Sequence, residues 1–462
     1  MAIHFIPNDP RAGRAAPPLR RQAKRPEPAE GHAGFSYQRP PPEGVAAPGT
    51  PQFLFWQVRD AALAALRAWE ACAGPHTRWQ GRRTRLPLRP DEGEDLNAFY
   101  DRATVSFFHQ EVAPGRVVYA GASTDVVAHE VGHGLLDSVR ADLWDITFLE
   151  VGAFHEAFGD CLGILTALED RATRVALLAQ APTLRKRNFV ESFAEELAWG
   201  IGRAIPGHNA AEPRHAHNRF RFQIPSSLPA DGPPGALINE VHSFAMLFTG
   251  CFWDLIAGLY ARAATPGPAA LRTAARRAGK LLIAGARAAV VTPRFFLSVG
   301  RAMAQADLAL HRGRHLETLA AAFAGHGLVL GPVAAGGGRA RGAALPAAAP
   351  GPLQPVPLSG LHPQLEGVVV LAPTVRAAGP AGARGAPPGS DEDTAAEVQA
   401  FVAGLLARRR IALAPPGARG AALAPRHDHT THEVRELRGQ RRLVRKRFLC
   451  ACHAGPGLFS AR

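Results

Sequence analysis

The spacing of apolar residues predicts a mostly helical middle part of the chain. Between residues 53 and 72, apolar side chains recur every three or four positions until Gly74 and Pro75 end the run, as in an amphipathic helix. From residue 124 to about residue 330 the same helical period continues, broken by a loop-rich interval at 206–234. This part of the sequence therefore predicts a series of helices.

A different pattern lies between residues 98 and 120 and predicts β-structure. Runs of β-branched and aromatic residues cover 104–108 and 116–119, and Pro114-Gly115 separates them. Such runs around a turn dipeptide are typical of a β-hairpin or a small antiparallel sheet. Strands followed by helices predict an α+β fold class, with residues 53–330 as the folded domain.

Three segments outside that domain have compositions of their own. Residues 1–52 are rich in Pro, Arg, Ala and Gly without a hydrophobic period, which predicts a disordered arm. Residues 331–390 are dominated by Ala, Gly and Pro and predict a linker. In residues 391–462 the pattern predicts a helix at 394–408 and two strands around Gly439, which makes this segment a small basic tail of helix plus hairpin.

The net charge of +14 does not by itself indicate a nucleic-acid partner. Of the 53 basic residues only four are lysines, and an Arg bias together with abundant Ala, Gly and Pro reflects coding composition as much as function. Nucleic acid is therefore not predicted as a partner, and no oligomeric state is predicted. An interaction protein whose basic residues 389–462 dock on nucleic acid stays open as an alternative.

Neither a membrane span nor a secretory signal is predicted. The most apolar stretch, residues 244–261, contains Asp254 and is typical of a buried core helix. The first 30 residues carry charges and prolines rather than a continuous apolar block, and the five cysteines are scattered and odd in number. These features favour a cytoplasmic protein, with non-classical secretion as the alternative.

The sharpest local motif is His129-Glu130-Val131-Gly132-His133. Two imidazoles four residues apart lie on one face of a helix, with a carboxylate beside them, and together they can bind one zinc ion. A catalytic zinc takes a third protein ligand and leaves one position for water, and His2Glu is a recurring ligand set. The motif therefore requires a carboxylate further along the chain. The alternative is an ordinary helix with two surface histidines.

Glu156 and Asp160 provide carboxylates on a second helix. They lie four residues apart, hence on one face, in an apolar run that includes Phe154, Phe158 and Leu162. Burying two carboxylates without partners would cost several kcal/mol each. We therefore expect Glu156 to bind the metal and Asp160 to accept the other ring N–H of His129.

The surrounding sequence resembles the thermolysin-like zinc metallopeptidases, a group of glutamate-zincins, over about residues 60–327. Residues 125–130 and 152–160 look like the two metal-binding helices of that family. Residues 97–100, Asn-Ala-Phe-Tyr, resemble its edge strand, which holds the substrate peptide. Residues 241–243, Val-His-Ser, resemble the segment that carries its transition-state histidine.

The resemblance implies a fold, a reaction and a set of site residues. The fold is a two-lobe catalytic unit, with a short β-containing N-terminal lobe, a mostly helical C-terminal lobe and one catalytic Zn2+ between them. The reaction is peptide-bond hydrolysis by a zinc-activated water, on a peptide or protein substrate bound as an extended strand. The implied roles are zinc ligation by His129, His133 and Glu156, proton transfer by the general base Glu130, orientation by Asp160, oxyanion stabilisation by His242, and substrate binding by Asn97, Ala98 and Arg203.

Departures from the family pattern leave a second function open. The tyrosine that usually joins the oxyanion histidine has no counterpart in residues 143–148, and the acidic partner of that histidine is displaced, with Glu240 and Asp231 as candidates. The acidic calcium loop of the family is replaced by residues 120–124, so structural calcium is not predicted. A degenerate relative that binds zinc and peptides without turnover is the alternative to a zinc metalloendopeptidase.

Overall fold

A computed structural model describes residues 2–332, 352–374, 391–413 and 429–450. Within these ranges the protein is mixed α/β, with ten α-helices and several small sheets. The helices are α1 (Pro51–Ala73), α2 (Thr124–Val139), α3 (Leu149–Glu169), α4 (Arg171–Gln180), α5 (Glu195–Ala204), α6 (Val241–Ala261), α7 (Pro268–Ala288), α8 (Phe295–His311), α9 (Leu316–Gly325) and α10 (Asp391–Ala407).

The described strands form two five-stranded sheets and three two-stranded sheets. One large sheet has the order β16-β5-β6-β4-β3, the other has the order β11-β12-β15-β14-β13, and the small sheets are β1-β2, β7-β8 and β9-β10. The strands are β1 (Ala2–Phe5), β2 (Arg20–Ala23), β3 (Gly34–Tyr37), β4 (Arg85–Arg89), β5 (Ala98–Tyr100), β6 (Val105–Phe107), β7 (His109–Ala113), β8 (Arg116–Tyr119), β9 (Ser192–Phe193), β10 (Arg214–His215), β11 (Leu353–Pro357), β12 (Val368–Pro373), β13 (Ile411–Ala412), β14 (His432–Leu437), β15 (Gln440–Arg445) and β16 (Phe448–Leu449).

The predicted helices and hairpin of the middle part are confirmed. Helix α1 begins after Thr50, whose side chain accepts the N–H of Phe53, and ends at Gly74 with a φ of 79°, a left-handed value that glycine adopts readily. Strands β7 and β8 pair antiparallel around Pro114-Gly115. Helix α3 packs against both α2 and α6, and it is buried along almost its whole length, including the face that carries Glu156 and Asp160.

Helix α6 is long and apolar enough to cross a membrane, and within the described residues it is the one helix that meets this test. Most of it is buried inside the protein, where it contacts α3, α7 and α9. It occupies the place of a core helix, as the sequence pattern predicts.

Residues 1–52 do not form the disordered arm that their composition predicts. Strands β1 and β2 pair with each other, and β3 pairs in parallel with β4 inside a five-stranded sheet. The segment has few apolar residues, but Ile3, Phe5 and Phe35 are buried. Ile3 packs in one cluster with Phe55 and Trp56 of α1. The folded unit therefore begins before residue 53.

A buried acidic cluster joins this N-terminal segment to the helices. The carboxylate of Asp9 accepts the hydroxyl of Ser123 and the backbone N–H of Glu196, and Asp125 accepts the backbone N–H of Ala194. Burial, followed by the charge of Asp125, raises the pKa of Glu195 to about 8. Burial also raises the pKa of Asp9 and of Asp125.

This cluster predicts that stability falls as the pH rises. As the pH rises, groups with raised pKa values keep their protons to a higher pH in the folded protein than in the unfolded chain. Their contribution to the free energy of unfolding is therefore fully present below about pH 4.5 and is lost as the pH approaches 8. We expect the thermal unfolding midpoint to fall by several degrees from pH 5 to pH 8, and Glu195→Gln to reduce that fall.

The exposed Glu30→Gln is the matched control and should keep the wild-type pH dependence. A midpoint at pH 8 that calcium restored to its pH 5 value would contradict this account. It would mean that a bound cation, rather than protons, balances the carboxylates.

The predicted linker is partly a sheet. Its residues 352–374 contribute β11 and β12, whereas residues 333–351 and 375–390 lie outside the described residues. Strand β12 pairs in parallel with β15 of the predicted C-terminal hairpin. Linker and tail therefore share one sheet rather than forming a spacer and an appendage.

The basic tail contains the predicted helix, α10, and the predicted hairpin, β14–β15, but it packs on the helices. Arg294 forms ion pairs with Glu150 of α3 and with Glu397 of α10. The indole N–H of Trp144 donates to the carbonyl of Arg445 at 3.0 Å. These ion pairs and this hydrogen bond join the tail to the helices of the main domain.

Several arginines of the tail serve the protein's own fold. Arg408 donates to the carbonyl of Asn239, and Arg441 donates to the carbonyl of Glu366. Arg445 is buried. These contacts reduce the basic surface that a nucleic-acid partner would require.

Candidate metal centre

Two glycines let α2 and α3 approach closely enough to bring their polar side chains together. A Cβ atom on Gly132 would lie 2.9 Å from the Cα of Gly159, and a Cβ atom on Gly159 would lie 2.6 Å from Nδ1 of His129. Real Cβ atoms essentially never approach other atoms so closely, so a larger residue at either position would push the helices or the imidazole away. The contact brings His129 and His133 next to Glu156.

His129, His133 and Glu156 offer three ligand atoms within 4.8 Å of one another. Oε2 of Glu156 lies 3.1 Å from Nε2 of His129 and 3.6 Å from Nε2 of His133. Ligand atoms about 2.1 Å from a tetrahedral zinc lie ~3.4 Å apart, so these spacings fit zinc. The three side chains are almost fully buried, and two nitrogens with one carboxylate oxygen match a catalytic donor set.

Glu130 lies beside these ligands on α2. Both of its carboxylate oxygens are buried and make no hydrogen bond within the described residues. Burial raises the pKa of Glu130 to about 8; nearby Glu156 adds to this effect, and His129 opposes it. A buried carboxylate with a raised pKa and no partner is typical of a proton-transfer group.

Asp160 orients His129, as the sequence predicts. Its Oδ1 lies 2.8 Å from Nδ1 of His129, and Arg214 donates two hydrogen bonds to its carboxylate, at 2.7 and 3.1 Å. Burial opposes ionisation of Asp160, but Arg214 and His129 outweigh burial and lower its pKa to about 2. The ionised carboxylate therefore accepts from Nδ1 and leaves Nε2 of His129 directed at Glu156.

His155 is a site residue that the sequence reasoning missed. Its Nδ1 lies 3.1 Å from Nδ1 of His133. Burial, with the nearby charges of His133 and Arg445, lowers the pKa of His155 well below its usual value, so its neutral ring can accept the N–H of His133. That bond leaves Nε2 of His133 available to a metal. The feature of the sequence that could have indicated this role is that His155 directly precedes Glu156.

His242 faces the metal ligands from the first turn of α6. Its Nε2 lies 3.0 Å from Oε2 of Glu156, and its Nδ1 lies 2.9 Å from Oε1 of Glu240. Burial opposes ionisation of Glu240, but the charge and hydrogen bond of His242 outweigh burial and lower the pKa of Glu240 to about 2. Of the two acidic candidates, Glu240 supports His242, whereas Asp231 is exposed.

The three expected substrate-binding residues differ in their placement. Asn97 is buried directly before β5, and Ala98 is the first residue of that strand. Arg203 is exposed in the last turn of α5 and, within the described residues, makes no hydrogen bond or ion pair with the other site residues. Arg214, which the sequence reasoning missed in its loop-rich interval, is the arginine that contacts Asp160.

The C-terminal strand β16 runs antiparallel along β5 and reaches this centre. Phe448 pairs with Tyr100, and the backbone N–H of Cys450 donates to the carbonyl of Ala98 at 2.9 Å. Sequence reasoning placed β16 in a separate tail. A contact between segments about 350 residues apart in the chain leaves no local pattern in either of them.

No model of a known protein family matches this chain, and comparison with curated proteins also finds no match. The functional assignment therefore rests on the chemistry of the residues themselves.

A second group of metal-ligand side chains lies where α8 meets α9. Asp307, His311 and His315 also bring one ligand atom each within 4.8 Å of one another. Arg277 and Arg314 lie close enough to lower the pKa of both His311 and His315 in addition to the effect of burial. These cations would repel a metal ion. A substitution in this group is therefore a suitable control for substitutions in the centre on α2 and α3.

Proposed function

We propose that the protein is a zinc-dependent endopeptidase of the thermolysin-like type, with the strand-rich and helical parts as its two lobes. The single observation that carries the proposal is the convergence of His129, His133 and Glu156 beside the buried carboxylate of Glu130. Three ligands from two helices leave a fourth tetrahedral position open. Zinc bound there would polarise a peptide carbonyl and lower the pKa of a water molecule.

The chain's own residues supply the remaining steps of hydrolysis. Glu130 takes a proton from the attacking water and passes it to the leaving amine. His242, held by Glu240, donates a hydrogen bond from Nε2 to the oxyanion. Asp160 and His155 fix the ring orientations of His129 and His133.

Substrate placement follows from the same geometry. Ala98 begins β5, and its carbonyl accepts the N–H of Cys450, so a peptide that replaced β16 on this strand would pass the proposed metal ligands. Arg214, rather than Arg203, is the arginine that lies inside the site, where its guanidinium binds Asp160. A small cavity of about 40 Å³, lined by Leu197, Ile201 and His242 among others, lies beside the centre.

A zinc-binding protein without turnover is the second candidate. The observation that favours it is the pairing of β16 with β5, because this pairing covers the strand edge that a substrate would use. Both candidates require zinc at the same three ligands. Turnover is what separates them.

Removal of the metal tests the proposal. We expect one zinc per chain, and hydrolysis of denatured casein that a chelator abolishes and zinc restores, measured as new amino termini. Both the wild type and Phe448→Ala should be assayed, because β16 covers β5 in the wild type and the ring of Phe448 stacks on His133. Asp307→Asn should keep the zinc, and His133→Ala should lose it. Zinc bound by these ligands without hydrolysis in either protein would favour the second candidate.

A further inference from the structure

The last described residues of the chain occupy the position that an extended substrate would take. Phe448 and Leu449 pair antiparallel with Tyr100 and Phe99 of β5, and the N–H of Cys450 continues the pairing by donating to Ala98. This is the hydrogen-bonding mode by which a peptide adds to an exposed strand edge. The chain therefore supplies its own peptide to β5.

The side chain of Phe448 fixes this strand over the metal-binding imidazoles. Its ring stacks on His133 with centroids 4.5 Å apart and on His155 with centroids 4.2 Å apart. Cζ of Arg445 lies 4.0 Å from the ring centroid of Phe448. The ring of Trp144 packs edge-on against the same phenyl ring. Phe448 is almost fully buried. Aromatic and cation–π contacts of this kind hold the strand in place.

Cys450 is the residue after β16, and its thiol lies near His129 and Glu130. Its Sγ, a nitrogen of His129 and a carboxylate oxygen of Glu130 all lie within 4.8 Å of one another. Cys450 is buried, and the Glu130 oxygens beside it have no hydrogen-bond partner in the described part of the chain. A thiolate is a strong zinc ligand, and this thiol lies beside both the proposed ligand His129 and the proposed base Glu130.

We propose that residues 446–450 are an internal inhibitor in which Sγ of Cys450 is a further ligand of the zinc that His129, His133 and Glu156 would hold. This inference rests on the proposed function. On coordination the S–H bond breaks, the S–Zn bond forms in place of the bond to water, and the proton passes to Glu130. Substrate then competes with β16 for β5 and with the thiolate for the metal.

Cobalt substitution of the full chain tests the coordination directly. Cobalt bound to a thiolate gives a charge-transfer absorption in the near ultraviolet that nitrogen and oxygen ligands do not give. We expect this band in the cobalt-loaded wild type, its loss in Cys450→Ser and in Cys450→Ala, and its retention in the controls Cys72→Ser and Cys452→Ser. Absence of the band from the wild type, or its loss in Cys452→Ser alone, would overturn the assignment.

Hydrolysis by the same zinc-loaded proteins tests the inhibition. We expect Cys450→Ser and Phe448→Ala to cleave an internally quenched peptide at least tenfold faster than the wild type, whereas Cys72→Ser matches the wild type. Equal rates for the wild type and both activated variants would refute the inhibitory role. A Cys450-dependent cobalt band with no hydrolysis in any variant would instead remove the peptidase proposal and retain Cys450 as a ligand.

A synthetic peptide of residues 446–450 supplies an independent measurement. Added to Cys450→Ser, it should inhibit hydrolysis, and its counterpart with serine at position 450 should require at least tenfold higher concentration because it lacks the thiolate. Equal potency of the two peptides would exclude coordination by Cys450.

Discussion

Replacing Glu130 by glutamine is expected to lower peptide hydrolysis by about 10³-fold while the protein keeps its zinc. Glutamine has nearly the same shape but cannot accept the proton of the attacking water. The proposed metal ligands His129 and His133 on the same helix are unchanged, so zinc affinity should stay within a few-fold of the wild type. Hydrolysis of a quenched peptide and zinc content per chain measure the two effects separately.

The control for this substitution is Glu317→Gln, which removes a highly exposed carboxylate on α9. Both substitutions should be made in the wild type and in Phe448→Ala, so that the covering strand does not hide the difference. Turnover by Glu130→Gln equal to that of its parent would exclude Glu130 as the base.

Replacing Gly159 by alanine is expected to disrupt the metal centre from its supporting side. The added Cβ would lie 2.6 Å from Nδ1 and 2.8 Å from Cε1 of His129, so the imidazole or the helix must move. Overpacking of a tight interior contact costs about 1–3 kcal/mol. We therefore expect zinc affinity to fall at least tenfold and the thermal unfolding midpoint to fall by several degrees.

Gly325→Ala is the matched control, because its Cβ would meet nothing closer than 3.7 Å, on Asp254. An exposed helical glycine replaced by alanine should leave zinc affinity unchanged and keep or slightly raise the unfolding midpoint. Wild-type zinc affinity in Gly159→Ala would show that the ligands tolerate a wider helix separation than the structure has.

Local patterns in the sequence predict the centre of the site but not its surroundings. The four-residue spacing of His129 and His133, and of Glu156 and Asp160, determines one helix face each, so their convergence could be anticipated from periodicity. The bond from His129 to Asp160 follows from the need to pair a buried carboxylate.

The residues that were missed depend on contacts between distant parts of the chain. Arg214 lies in an irregular loop and reaches Asp160 only through the tertiary fold. Composition also gave the wrong result for residues 1–52, because a few buried side chains such as Phe5 and Phe35 suffice to order a segment when α1 and β4 offer partners. Propensity describes a segment alone, whereas burial depends on its neighbours.

The location of β16 near the C-terminus has a consequence for biosynthesis. The helices that carry the metal ligands are translated about 280 residues before β16, which at about 5–20 residues per second is an interval of roughly 15–55 s. During that interval the nascent chain would bind the proposed metal without competition from Cys450. If the proposed inhibitor is correct, the late synthesis of β16 would place metal binding before inhibition.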